Sequence, residues 1–210
     1  MYKVFINDKW IFFGDFQKNQ FSENEEYEVL KCSKDIIYNF SVMIKTGSFD
    51  KNIILDQASD IQKSFDFFLK QFIVLEAAGG IVYHSNKSFL MIKRFGIWDF
   101  PKGKIEENEK ADYSALREVN EETGVDSLKI IRVLPIIYHT YRFGREWVVK
   151  KTHWFLMHTD FNGILIPQTE EDIQEVKWVS YLELPEYLSN TYASLNELVI
   201  KANILGKLDT

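Results

Sequence analysis

Residues 103–125, GKIEENEKADYSALREVNEETGV, constrain this chain more than any other stretch. They read as a short helix carrying three glutamates, Glu118, Glu121 and Glu122. At 100° per residue with Ala111 at zero, Ala115 falls at roughly 40°, Val119 at roughly 80° and Leu116 at roughly 140°, which defines a buried stripe. Glu122 then projects at roughly 20°, between the alanines, Glu118 at roughly 340° and Glu121 at roughly 280°. A solvated charged face belongs opposite the apolar stripe, yet two of the three carboxylates border or enter it. Ionised carboxylates held there without partners are costly, and a bound cation offsets that cost. Arg117 can pair with Glu121 at i, i+4, but one guanidinium does not neutralise three acids. The helix therefore calls for a cation.

The donors narrow the choice of metal. All are hard oxygens, with no Cys and no nearby His, so Mg²⁺ or Mn²⁺ is expected rather than Zn²⁺. Gly103 reads as a turn residue whose bare backbone lets its neighbours approach the ion. Gly124 fits the left-handed stop after the helix. A Mg²⁺ held by a few carboxylates keeps open positions that substrate phosphates usually share. Such a site polarises a phosphoryl oxygen and activates water for attack.

The rest of the chain sets limits on that chemistry. Its 210 residues suffice for one generous core, or for a domain with a smaller companion. A formal charge of −6 argues against a nucleic-acid polymer as partner but leaves a small phosphorylated ligand open. Cys32, the only cysteine, excludes a disulfide framework and a thiolate metal cage. The start, MYKVFINDKWIFFGDF, is broken by Asp8, Lys9 and Asp15 and does not read as a signal peptide. No apolar run reaches about 18 residues, so no membrane span is expected and the expected location is the cytoplasm.

Along the chain, VFINDKWIFF suggests a hairpin around Asn7-Asp8. SKDIIYNFSVMIKTG suggests a helix capped by Ser33 and stopped by Gly47. NIILDQ reads as a strand and SDIQKSFDFFLKQF as a second helix opened by Ser59 or Asp60. Residues 1–72 thus make a small α/β unit without a chemical motif. From Ile73 the pattern changes to long strands: IVLEAAGGIVYH and KSFLMIKRF flank a Ser85-Asn86 turn. LKIIRVLPIIYHTYRF and WVVKKTHWFLMHT flank Phe143-Gly144-Arg145-Glu146, and EVKWV is a short strand. NTYASLNELVIKANIL closes as a helix, with Leu195, Leu198, Val199, Ala202 and Leu205 at helical spacing.

Residues 103–125 resemble a complete Nudix box, G-x5-E-x7-R-E-U-x-E-E-x-G-U with U aliphatic, through Gly103, Glu109, Arg117, Glu118, Val119, Glu121, Glu122, Gly124 and Val125. From average residue usage such a match arises by chance less than about once in a million chains. The flanking AAGGIV, FLMIKR and EVKWV segments also look like the Nudix framework, so the resemblance spans residues 73–205. It implies an α/β/α sandwich around a mixed sheet, with a Nudix domain at 73–210 following the unit at 1–72. It also implies Mg²⁺-dependent cleavage of a nucleoside diphosphate linked to another moiety. By the family pattern Glu118, Glu121 and Glu122 hold the metals with a backbone carbonyl near Gly103, while Glu109 and Arg117 brace loop and helix. The general base lies either in the box, with Glu118 the first candidate, or on the Gln168–Glu175 segment. Glu171 or Glu175 is the candidate for an extra metal ligand.

The expected substrate contacts are Lys102, Arg94, Tyr141 and Lys151. Tyr141 stands 16 positions past the box, similar to dinucleoside polyphosphate hydrolases, and VVKKTHWFL resembles a K-x-T-x-aromatic pattern of the same group. A dinucleoside polyphosphate is therefore the leading substrate. ADP-ribose or nucleotide sugars, inositol pyrophosphates and oxidised nucleoside triphosphates remain alternatives, as does a nucleotide-sensing regulator. A small nucleotide is the expected partner, with no membrane, and a homodimer remains open.

Overall fold

The computed structural model describes residues 1–17, 21, 25–57 and 59–204. Two compact units emerge, residues 1–75 with 138–150 and residues 76–137 with 151 onward. The expected boundary at residue 73 follows chain order, whereas spatial grouping takes the 138–150 hairpin into the first unit.

In the first unit β1 (Tyr2–Ile6) and β2 (Lys9–Gly14) form the expected hairpin, with Asn7 at φ 53° in the turn. β3 (Tyr27–Lys31), α1 (Lys34–Thr46) and β4 (Asn52–Asp56) make a parallel crossover, with β4 between β3 and β2. α1 follows its sequence signals: Ser33 accepts a hydrogen bond from the Ile36 N–H, and Gly47 ends the helix at φ 74°. Ile37, Phe40, Ser41 and Ile44 form its buried face. In α2 (Ile61–Leu69), Phe65 and Phe68 supply the buried face, and Asp60 precedes the helix at φ 57° without capping it through its side chain. β3 was not anticipated. Its short segment is at most half-buried, so it lacks the apolar alternation that reveals a strand.

The second unit begins within β5 (Ile73–His84) and continues through β6 (Ser88–Arg94), β7 (Ile97–Asp99), β8 (Lys102–Lys104), α3 (Ala111–Thr123) and β9 (Lys129–Val133). After β10 (Ile137–Phe143) the chain returns through β11 (Glu146–Thr159), β12 (Ile173–Ser180), α4 (Leu184–Leu188) and α5 (Ala193–Lys201). β10 pairs with β1 in parallel inside the first unit. In the second unit the order is β12-β6-β5-β11, with β7 against β6, β8 against β5 and β9 against β11. The segment expected as one strand, LKIIRVLPIIYHTYRF, is split into β9 and β10. Pro135 has no N–H to donate to the ladder, so the pairing is interrupted there.

The second core gathers Ala78, Val82, Leu90, Ala115, Val119 and Met157 beneath α3. α5 buries Leu195, Leu198 and Val199, with Ala202 just beyond it, while Leu205 lies outside the described residues. The whole is an α/β fold built on mixed parallel and antiparallel pairing. Among the described residues no helix is long and apolar enough to cross a membrane.

Candidate active site

α3 puts its glutamates where helical geometry requires. Ala115 and Val119 are fully buried, and so is Glu122 at 0% exposure, while Glu118 retains only 5%. Glu121 is the outer one, its side chain 46% exposed. Gly124 ends the helix at φ 75°, its N–H donating to the Asn120 carbonyl. The next segment is tied to that end: the Ile166 N–H donates to Thr123 O at 2.9 Å and the Gln168 N–H to Glu122 O at 3.3 Å. These bonds satisfy carbonyls that a helix terminus leaves orphaned, and they fix the start of the Thr169–Glu171 turn.

Gly103 lies in β8 rather than in a turn, paired with Ala78 of β5. Its bare α-carbon faces the Glu118 carboxylate, and a Cβ there would stand 1.8 Å from Glu118 Oε2. Only glycine admits this approach. Arg117 holds the surrounding carboxylates. Its Nε and Nη2 donate to the two Glu109 oxygens, each at 2.8 Å, and Nη1 donates to Glu118 at 2.7 Å and to Glu121 at 2.8 Å. Nη2 also donates to the Lys104 carbonyl at 3.0 Å, which fastens β8 to the helix. The guanidinium holds the Glu109 carboxyl down at about 2.

Glu122 is handled differently. Its Oε2 accepts from the Lys102 backbone N–H at 2.8 Å, but Oε1 is buried without a hydrogen-bond partner. Burial pushes its carboxyl up to about 8 against the opposing charge of Lys102, and the charges of Asp99 and Glu171 add to the rise. Burial likewise raises Glu118; Arg117 opposes that rise, and Glu121 and Glu171 reinforce it. Glu171 thus shares a field with both buried glutamates, whereas the charge of Glu175 is felt by Lys177.

The expected substrate contacts are not equivalent. The Lys102 ammonium is engaged by Asp99 at 2.5 Å. Burial works against its charge, but Asp99 and Glu122 outweigh burial and raise its pKa. Asp99 was not singled out from the sequence; its position three residues before Lys102 in WDFPKGK was the available signal. Arg94 ends β6 with an ion pair to Glu171 at 3.9 Å and a buried Nε that has no partner. Lys151 is held by Glu76 at 3.1 Å, and His153 Nε2 meets the other Glu76 oxygen at 2.8 Å. Tyr141 lies on β10 in the first unit, its ring 6.0 Å from that of His139.

Among the described residues no three His, Cys, Asp or Glu side chains stand together as a formed metal cage. The donors present nevertheless fit a hard divalent cation. A buried carboxylate oxygen lacks a partner, a second carboxylate is half-neutralised by Arg117, and Gly103 leaves open the space a Cβ would fill. Glu118, Glu122 and Glu171 are the residues whose charges would be relieved.

The NUDIX domain model matches residues 75–199. A Mycobacterium tuberculosis protein provisionally named mutator protein MutT4 is 38% identical over 115 residues, covering 54% of this chain and 44% of that protein. The RNA pyrophosphohydrolase of Erythrobacter litoralis is 27% identical over 143 residues, covering 61% of this chain and 85% of that protein. Against the mRNA decapping complex subunit 2 of Schizosaccharomyces pombe the match spans only 17% of the relative's length. The crystal structure of the MutT protein from Methanosarcina mazei Go1 superposes with a TM-score of 0.50 at 17% identity, over 65% of this chain and 97% of that one, a likeness of fold. With a complete box running from β8 through the end of α3 and a family match over more than half its length, this chain belongs to the Nudix family.

Proposed function

We propose that this protein is a divalent-metal-dependent pyrophosphohydrolase acting on a nucleoside diphosphate derivative. The observation that carries the reading is Glu122, a wholly buried carboxylate with one oxygen unpartnered, set beside the charges of Asp99 and Glu171. Glu118, Glu121, Glu122 and Glu171, with the backbone at Gly103, would hold Mg²⁺ or Mn²⁺, and Glu175 is the weaker candidate. Such a cation supplies charge neutralisation and polarisation at the phosphoryl group. Glu118 accepts the proton of the attacking water, its carboxylate held in place by Arg117 Nη1 at 2.7 Å. Arg117 orients Glu118 and Glu121, and Glu109 fixes Arg117 through its two-pronged contact. Arg94, its side chain 34% exposed at the end of β6, is freer than Lys102, which Asp99 engages, to meet a phosphate. A relative named RNA pyrophosphohydrolase supports cleavage at a pyrophosphate link.

For the substrate we favour a dinucleoside polyphosphate, on the sequence position of Tyr141 and on the K-x-T-x-aromatic run from Lys150 to Trp154, which contains Lys151. The test is a panel of diadenosine polyphosphates, ADP-ribose, nucleotide sugars, nucleoside triphosphates and inositol pyrophosphates, incubated with and without Mg²⁺. Metal-dependent cleavage of the diadenosine compounds is the expected result. Glu122→Gln is expected to lose turnover by about a hundredfold or more while staying folded. Wild-type turnover in that variant would sink the assignment.

A further inference from the structure

The first unit has a cavity of about 570 Å³ that belongs to none of the chemistry above. Its walls carry Lys45, Lys70, Arg142 and Arg145 against a single carboxylate, Glu146. Among the described residues none of these four cations makes an ion pair. Two have a structural explanation. Lys45 sits in the last turn of α1 and Lys70 follows α2, where each offsets the roughly half negative charge of a helix C-terminus. Lys45 also lies 5.1 Å over the Phe72 ring. The two arginines sit at the β10–β11 hairpin, where no helix end explains them. Taking Glu146 and the two helix ends against the four cations leaves a surplus of about two positive charges. A surplus of that size matches a di- or triphosphate and falls short of what a nucleic-acid polymer needs.

Trp147 adds a second element of recognition. It is half-buried, packs on the first core and lines the same cavity, and its indole makes no ring contact or hydrogen bond among the described residues. A flat aromatic surface in a cavity that also carries two guanidinium groups suits a nucleobase attached to phosphates.

We propose that this cavity is a nucleotide-binding site of the first unit, with Arg142 and Arg145 taking the phosphates and Trp147 meeting the base. It is separate from the carboxylate centre in its residues and stands whether or not the hydrolase reading holds. The volume lies within the range of small-ligand pockets, about 300–1,000 Å³.

The test is calorimetric titration of the full chain with ADP and with inorganic pyrophosphate, in chelator so that the carboxylate centre is idle. Wild type is expected to bind both. Arg142→Ala/Arg145→Ala is expected to weaken both by about tenfold or more. Trp147→Leu is expected to weaken ADP and leave pyrophosphate unchanged. Melting curves confirm that the variants are folded; should Trp147→Leu not fold, Trp147→Phe is expected to keep both ligands. No binding by wild type, or equal affinity in the arginine variant, would overturn the proposal. So would loss of ADP binding in Glu122→Gln with none in the arginine variant, since that places the ligand at the carboxylate centre. Salt-sensitive binding of a single-stranded oligonucleotide far tighter than ADP would also overturn it, in favour of a polymer.

Discussion

Burying a carboxylate with an oxygen left unpaired is among the costliest arrangements a single residue can adopt, and Glu122 adopts it. Its pKa is raised from 4.5 to about 8, so the folded state favours the neutral acid. The sign follows directly: this contribution to stability is complete below pH 4.5 and is lost as pH climbs toward about 8. In chelator, the melting temperature of wild type minus that of Glu122→Gln should therefore fall across that window, and a flat difference would contradict the burial argument. Gly103 poses the opposite problem, since what matters there is an absent atom. Gly103→Ala would put a Cβ 1.8 Å from Glu118 Oε2, so the carboxylate must swing away. A displacement of that size should cost about a hundredfold in turnover, measured as kcat on whichever substrate the panel identifies. The sequence showed that Glu122 points inward, because helical periodicity is local. It did not show that Gly103 faces Glu118, because that contact joins a strand to a helix.

At the scale of elements, Arg117 links three pieces of chain: the loop through Glu109, β8 through the Lys104 carbonyl, and its own helix through Glu118 and Glu121. Charge alone would not do this, because the contacts use three nitrogens of one planar fork. Arg117→Lys is thus expected to lower turnover severely with the fold retained, and to bring Glu109 up toward an ordinary carboxylate value in an NMR titration. Retention of the low Glu109 value would show that a point charge suffices. The same scale shows where reading the sequence succeeded and where it stopped. α1 was legible because Ser33 and Gly47 mark its ends in the chain itself. The end of α3 was legible through Gly124, but the choice between Glu171 and Glu175 was not, because it depends on the Ile166 and Gln168 bonds to the helix end. Asp99 is not legible in the sequence because its role is to hold Lys102, a lysine whose place in WDFPKGK suggests a phosphate contact.

For the molecule as a whole, a chain of net charge −6 that concentrates carboxylates around one helix should couple its stability to divalent cations. Without metal, Glu118 and Glu122 are both shifted toward the protonated form. Bound metal needs the ionised form, so binding must release protons, and affinity must rise with pH. The two effects reinforce each other, since alkaline conditions weaken the metal-free fold and strengthen the metal complex. At a metal concentration about a hundred times Kd, the stabilisation is about 2.7 kcal/mol. Mg²⁺ is thus expected to raise the melting temperature more at pH 8, where Glu122 titrates, than at pH 6, where it is protonated. Glu122→Gln should lose most of that difference, having no proton to release at this position. An equal Mg²⁺ shift at both pH values would mean the cation is held away from Glu118 and Glu122, and the proposed metal site would have to move.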